Sequence, residues 1–251
     1  MRVERERVHL GGRLPPWIRH EHLARYRFAA ERAVGKIVID CASGDGTCAR
    51  ILAEQGAGEV HGFDVSEKAV QSATRDSTFD NVHFAVARAE ALPVPDEFAD
   101  LYVSLETIEH LPDQEAFLRE TARVLKPSGQ LVCSTPDRDV YSPGNSPSGQ
   151  PWNRFHIREY SQSEFTALLS RYYERVELFG QNPKSPRLVN LRVAVGRRTP
   201  WDLVVRVNQL LKLPRFLYDR FEHHPVVAVL AGRRYELLTA VCSGPRRASA
   251  G

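Results

Sequence analysis

The stretch KIVIDCASGDGT, residues 36–47, decides how this chain is read. Residues 36–41 form a short apolar run rich in β-branched side chains, the pattern of a strand buried in a parallel sheet. Residues 42–47, ASGDGT, are small and turn-forming. A helix is expected from Thr47 to Gln55, and its first N–H groups, near Thr47 and Cys48, would lie free at the turn. A glycine-rich turn between a strand and a helix is a ligand-binding arrangement. Gly44 and Gly46 would let a ligand approach the backbone.

Outward from this stretch the alternation repeats. GEVHGFD, 58–64, reads as a second strand, followed by a helix with Ser66 as N-cap. NVHFAVA, 81–87, and ADLYVSL, 99–105, read as strands three and four, with a proline-marked loop between them. A helix over 112–125 leads to a fifth strand, 129–135. Upstream, residues 18–34 predict a helix with Leu23, Tyr26, Ala30, Ala33 and Val34 along one face. Downstream, 136–154 reads as a long loop, and Ser161 opens a helix through a Ser-x-x-Glu capping box. YERVELFGQ is then a strand, 183–200 is basic, 201–224 is helical with a break at Pro214, and 235–244 is a last strand. Strand and helix in this succession predict an open α/β fold.

Composition sets the bounds. The chain has 251 residues, 42% of them hydrophobic and 26% charged, which suits one large globular domain. Lys and Arg total 34 against 31 Asp and Glu, so the net charge of +3 points to neither a nucleic-acid nor a membrane partner. Cys41, Cys48, Cys133 and Cys242 have no CxxC spacing, which speaks against a disulfide framework or a zinc knuckle. The N-terminal MRVERERVHLGG has no apolar core of a secretory signal, no run reaches membrane-spanning length, and a cytoplasmic location is expected.

Asp64 closes the second strand, 18 residues after Gly46, where a carboxylate can accept both hydroxyl hydrogens of a ribose. The turn formally fits the dinucleotide fingerprint GxGxx(G/A). Two carboxylates oppose that reading. Asp40 lies beneath the glycine turn and Asp45 within it, where a pyrophosphate would be repelled and a cationic methionine-like group would be served.

At these residues the sequence resembles the class I S-adenosylmethionine-dependent methyltransferases. IVIDCASGDGT looks like their first motif and HGFDVSEKAV like the second. ARAEALPVPDEFADLYVSLETIEHL resembles the third and fourth, and FLRETARVLKPSGQLVCSTP the fifth. The resemblance covers about residues 30–180, nearest in look to bacterial small-molecule O- and N-methyltransferases acting on sugars and natural products, antibiotics included. It implies a Rossmann-like fold with a seven-stranded, mostly parallel sheet and helices on both faces. Residues 1–35 would be a helical cover, 36–180 the cofactor-binding core, 181–234 a helical insertion and 235–244 the final strand.

The resemblance also implies roles. Asp40, Ala42 and Gly44 would line the methionine part of S-adenosylmethionine, with Gly46 holding the turn. Asp64 would bind the ribose, Val65 would pack on the adenine, and Ala89 and Glu90 would sit beside it. Ser104 would turn its backbone to the methionine amine, and Tyr26 would cover the cofactor. Two positions depart from the family. Ser43 stands where cysteine or glycine is usual. Arg88 stands where an aspartate often meets the adenine amine, so a carbonyl must replace it or the arginine turns away.

A second site follows strand four in LETIEHLPD. A helical turn would put Glu106 on one side with Glu109 or His110, and NRFHIREYS adds His156. One of the histidines, His110 or His156, could be a general base. Alternatively Glu106, Glu109, His110 and His156 could gather a divalent metal, Mg²⁺, Mn²⁺ or Zn²⁺. ExxEH with a later histidine also occurs in ubiquinone-pathway O-methyltransferases and small-RNA 2′-O-methyltransferases, some of them metal-dependent. A third reading makes ETIEH a structural turn.

The long loop adds Tyr141, Asn145, Trp152, Asn153, Phe155 and Tyr160 as a lid, and the N-terminal helix adds Trp17, His20, His22 and Arg27. The insertion, apolar through Leu210, Leu211, Leu213, Phe216, Leu217 and Phe221, suggests a pocket wall or a homodimer contact. Arg187, Arg192, Arg197 and Arg198 suggest an anionic acceptor such as a nucleotide-linked sugar, and His223 and His224 are further candidates. The expected function is methyl transfer to an oxygen or nitrogen of a small metabolite. An RNA or tRNA methyltransferase, a non-catalytic cofactor-binding protein and an NAD-dependent dehydrogenase are the alternatives.

Overall fold

A computed structural model describes residues 16–184, 225–230 and 232–247. The expected basic stretch and helix of 185–224, with its arginines and His223 and His224, lie outside the described residues, as does the side chain of Trp17.

The elements run α1 (Pro16–Ala30), β1 (Ile37–Cys41), α2 (Thr47–Glu54), β2 (Glu59–Asp64), α3 (Glu67–Asp76), β3 (Val82–Val86) and β4 (Ala99–Leu105). A short 3₁₀ turn, Ile108–His110, precedes α4 (Gln114–Val124), β5 (Leu125–Pro136) and α5 (Arg138–Tyr141). The chain then forms α6 (Gln162–Leu169), β6 (Tyr173–Lys184), β7 (Val227–Ala228) and β8 (Arg234–Pro245). One sheet takes the order β3-β2-β1-β4-β5-β8-β6-β7. The pairs among β1 to β5 are parallel, and β8 is antiparallel to both β5 and β6. The expected seven strands are therefore present, with two-residue β7 added at the edge beside β6.

The side-chain period of two divides each strand between two cores. On one face Ile39, Cys41, Phe63, Tyr102 and Cys133 pack with Phe117 of α4 and Phe165 of α6. On the other, Val38, Val60, Leu101 and Val103 pack with Ala29 of α1 and Leu52 of α2. Helices thus cover both faces, and Asp40 shares the face of α1 and α2.

The caps follow the sequence. Ser66 accepts from Ala69 N, and Ser161 and Glu164 complete the capping box of α6. Asp113, one residue beyond the proline expected to open α4, is that helix's cap.

Some boundaries differ. Helix α1 ends at Ala30, and Val34, expected on its buried face, is 66% exposed in a bridge with Ala57. The expected loop 136–154 yields its first residues to β5 and α5. Strand β6 continues to Lys184, so the expected insertion loses its first four residues, 181–184, to the sheet. All four cysteines are free and buried.

Candidate active site

The strand order reverses between β1 and β4: β2 and β3 lie on one side and β5 on the other. Ligands of open α/β sheets bind at the carboxyl ends of strands at such a point. Both expected sites lie there, the first after Cys41 and the second after Leu105.

The turn after β1 is built by Asp64. Its Oδ2 accepts from Gly44 N at 2.9 Å and its Oδ1 from Ser66 N at 2.8 Å, so it ties the glycine turn to the start of α3. Gly44 has φ +56° and open space where a Cβ would stand. Gly46 has φ +75°, and a Cβ there would meet Phe84 Cζ at 2.7 Å, so packing excludes a side chain. Asp45 Oδ1 accepts from Thr47 N at 3.1 Å and Thr47 Oγ1 at 2.6 Å. The protein's own carboxylate therefore occupies the start of α2, where a pyrophosphate would bind. This opposes the dinucleotide alternative.

Asp40 is 4% exposed and its Oδ2 has no hydrogen-bond partner. Burial raises its pKa to about 7, and Asp64 adds to the rise, while the Cys48 thiol and Ala49 amide oppose it. Ser43 Oγ and Ser104 Oγ are likewise buried without partners. A cationic amino-acid ligand supplies what these groups lack, so the residues fit S-adenosylmethionine. Tyr26 of α1 comes next to Asp40 and Cys48, and burial first, then these neighbours, push its hydroxyl well above the usual range. That position suits the expected cover. Val65 is 55% exposed after Asp64, open for a flat ring. Ala89 and Glu90 are half-buried, and Arg88 turns outward to pair with Glu90 Oε1 at 3.3 Å. Of the two routes open to Arg88, the side chain has taken the second.

The second site departs from a helical turn. Glu106 has φ +52° and lies outside the 3₁₀ turn. Ser134 of β5 holds it: Glu106 N donates to Ser134 Oγ at 3.0 Å, and Ser134 Oγ donates to Glu106 Oε1 at 2.7 Å. Among the described residues, the group able to hold a metal is Glu109, His110 and His156, with ligand atoms within 4.8 Å of one another. The expected four-residue set thus narrows to three because Ser134 engages Glu106. Glu109 is 1% exposed and neither carboxylate oxygen has a hydrogen-bond partner. Burial, and next the charge of Glu106, raise its pKa well above the carboxylate range. Two imidazoles and this carboxylate form a donor set suited to a borderline divalent ion.

The rings of His110 and His156 lie edge to face with centroids 4.9 Å apart. His110 Nδ1 contacts Phe155 O at 3.2 Å, and Ile157 N donates to Glu109 O at 2.7 Å. The segment carrying His156 is therefore docked on the 3₁₀ turn. Glu159, which sequence reasoning missed, meets His156 Nδ1 at 2.6 Å. Its spacing of three from His156 was visible, but its burial was not. Tyr141 stacks obliquely 5.8 Å from His156. Tyr160 belongs instead to the core, 1% exposed with its hydroxyl donating to Gln114 Oε1 at 2.7 Å. The lid reading fails for that residue because its ring packs beside Phe165 of α6 and its hydroxyl is held by α4. Arg25 of α1 was also missed. It is 1% exposed and donates to Gln181 Oε1 at 2.6 Å.

Residues 39–133 match a family model described as "Methyltransferase domain". A Mycobacterium tuberculosis protein named "Probable S-adenosylmethionine-dependent methyltransferase" is 39% identical over 153 residues, covering 61% of this chain and 53% of that protein. The "Ubiquinone/menaquinone biosynthesis C-methyltransferase" of Rickettsia massiliae is 35% identical over 105 residues, 38% of this chain and 42% of that one. The chain spans about half the length of these curated relatives. A Thermotoga maritima structure, a SAM-dependent methyltransferase described as a possible histamine N-methyltransferase, superposes with TM-score 0.62. It is 18% identical over 91% of each chain, a likeness in fold.

Proposed function

We propose that this chain, which carries a class I S-adenosylmethionine-dependent methyltransferase domain, moves a methyl group to an oxygen or nitrogen of a small metabolite, with His156 receiving the acceptor's proton. One observation supports this reading above the others. The turn built by Asp64 and underlain by Asp40 ends β1, and the paired imidazoles follow β4, so both stand at the carboxyl edge of adjacent strands.

When bound, S-adenosylmethionine supplies a methyl group on a positively charged sulfur that leaves as a neutral thioether. Asp40 would face its ammonium, Asp64 its ribose and Val65 its adenine, with Tyr26 of α1 closing over the turn. The protein then has two tasks. It aligns the acceptor's lone pair with the methyl carbon, and it takes the proton that the acceptor loses, onto an imidazole nitrogen.

The Glu109, His110 and His156 group favours a second reading, in which a divalent cation lowers the acceptor's own pKa. A sugar or other natural-product intermediate suits a site rich in hydrogen-bonding side chains. The basic stretch that carries Arg187, Arg192, Arg197 and Arg198 makes an anionic acceptor the class to screen first.

Calorimetric titration with S-adenosylhomocysteine tests the reading. The protein is expected to bind it, and Asp64→Ala to weaken binding on the order of a hundredfold, since charge-assisted ribose contacts are lost. No binding of either cofactor form would overturn the proposal. Titration with Mn²⁺ then separates the readings: binding that is lost in His156→Ala favours the metal, and none favours the imidazole base.

A further inference from the structure

Half-buried Asn153 and buried His156 and Glu159 join three hydrogen bonds whose directions constrain one another. Glu159 is 2% exposed and His156 8%. Glu159 Oε1 lies 2.6 Å from His156 Nδ1, and a carboxylate there only accepts, so Nδ1 carries the hydrogen. On the far side, Asn153 Nδ2 lies 3.0 Å from His156 Nε2. The orientation of that amide is set independently, because Asn153 Oδ1 accepts from Phe155 N at 3.0 Å. The amide therefore offers an N–H to Nε2, and Nε2 meets it with a lone pair. Both neighbours select the same arrangement, a hydrogen on Nδ1 and a lone pair at Nε2.

We infer that Glu159 and Asn153 are positioning residues that hold His156 as its Nδ1–H tautomer, with the Nε2 lone pair presented as the proton acceptor. The Asn153 amide marks the seat of the acceptor group, since an acceptor O–H or N–H delivering its proton to Nε2 must stand where that amide N–H stands. Its arrival displaces Asn153, and the proton passes from acceptor oxygen or nitrogen to Nε2 as the acceptor's bond to the methyl carbon forms. Glu159 then faces an imidazolium across Nδ1–H, a charge-assisted hydrogen bond. The segment 153–159 is a compact unit for this purpose, because Ile157 N and Arg158 N both donate to Glu109 O and hold it against the 3₁₀ turn.

The use of this geometry in methyl transfer rests on the proposed function; the tautomer itself does not. The test reads the ring directly. Long-range ¹H–¹⁵N correlation spectra of the full chain, labelled at histidine, distinguish a protonated from an unprotonated ring nitrogen. For His156 the expected result is a protonated Nδ1 and a bare Nε2, with a preference on the order of tenfold, as one hydrogen bond to a charged group supports. Glu159→Leu is expected to abolish that preference, and Glu159→Asp to retain its direction. Asn153→Asp keeps the acceptor for Phe155 N but turns a second carboxylate to Nε2, so the ring is expected to carry a hydrogen on both nitrogens. That variant sits on a half-buried loop and reports even if Glu159→Leu does not fold. A wild-type ring protonated at Nε2, or an Asn153→Asp ring unchanged from wild type, would overturn the inference. Failure of the S-adenosylhomocysteine titration would strike the proposed function and leave this result standing.

Discussion

Ala42 holds φ 62°, a conformation that costs an L-residue about 1 kcal/mol, in the glycine-rich turn after β1. Nothing in the packing requires its methyl group, since the residue is exposed. Ala42→Gly is therefore expected to raise the stability by about 1 kcal/mol, read as a higher urea midpoint at unchanged slope. Gly46→Ala should do the opposite, because a Cβ there strikes Phe84. The residue types of this turn and of Asp64 were legible in the sequence because a glycine turn after a strand has a local signature. Glu159 and Asn153 were not, for their roles depend on a folded loop bringing polar atoms together across three to six positions. Nor could Glu106 be placed: a positive φ at a glutamate is imposed by its neighbour on β5, and no helical periodicity foretells it.

Among the elements, α1 is held by polar contacts more than by an apolar stripe. Arg25 reaches Gln181 on β6, and Gln181 Nε2 donates to Glu21 O at 3.2 Å. Asn182 donates to the Glu21 carboxylate as well. Gln181→Ala removes one partner of a buried guanidinium, whose other nitrogen meets His22 Nδ1, and is expected to destabilise by about 2 kcal/mol. Hydrogen exchange should then quicken in residues 16–30 before the parallel strands, and a uniform change across the chain would contradict this linkage. The existence and order of the elements followed from hydrophobic period and caps, down to the capping box of α6. Where α1 ends and how far β6 runs did not, because both depend on pairing partners distant in sequence.

For the molecule as a whole, carboxyls raised by desolvation set the response to pH, Glu109 among them. Burial raises Asp40, Glu21 and Asp137 each to about 7, from ordinary values near 4 in the unfolded chain. The folded chain thus holds more protons than the unfolded chain between these limits. The stability these groups contribute is full below about pH 4 and lost as the pH rises through about 7. His22 acts oppositely: burial lowers its pKa, so its contribution is lost as the pH falls below about 6.5. The urea midpoint is expected to peak near pH 5–6 and to drop by roughly pH 8, and Asp40→Asn should flatten that fall. Equal midpoints at about pH 5.5 and 8 in the wild-type chain would refute the account. At the same scale, the strand pairing that places Gly180 beside Val227 and Lys184 beside Arg234 has a consequence for segment exchange. Lys184 and Val227 thus lie at one margin of the sheet, far in strand order from β1 and β2. An exchange of the residues between Lys184 and Val227 is therefore expected to leave the pairing of β1 with β2 and the Asp64-held glycine turn intact.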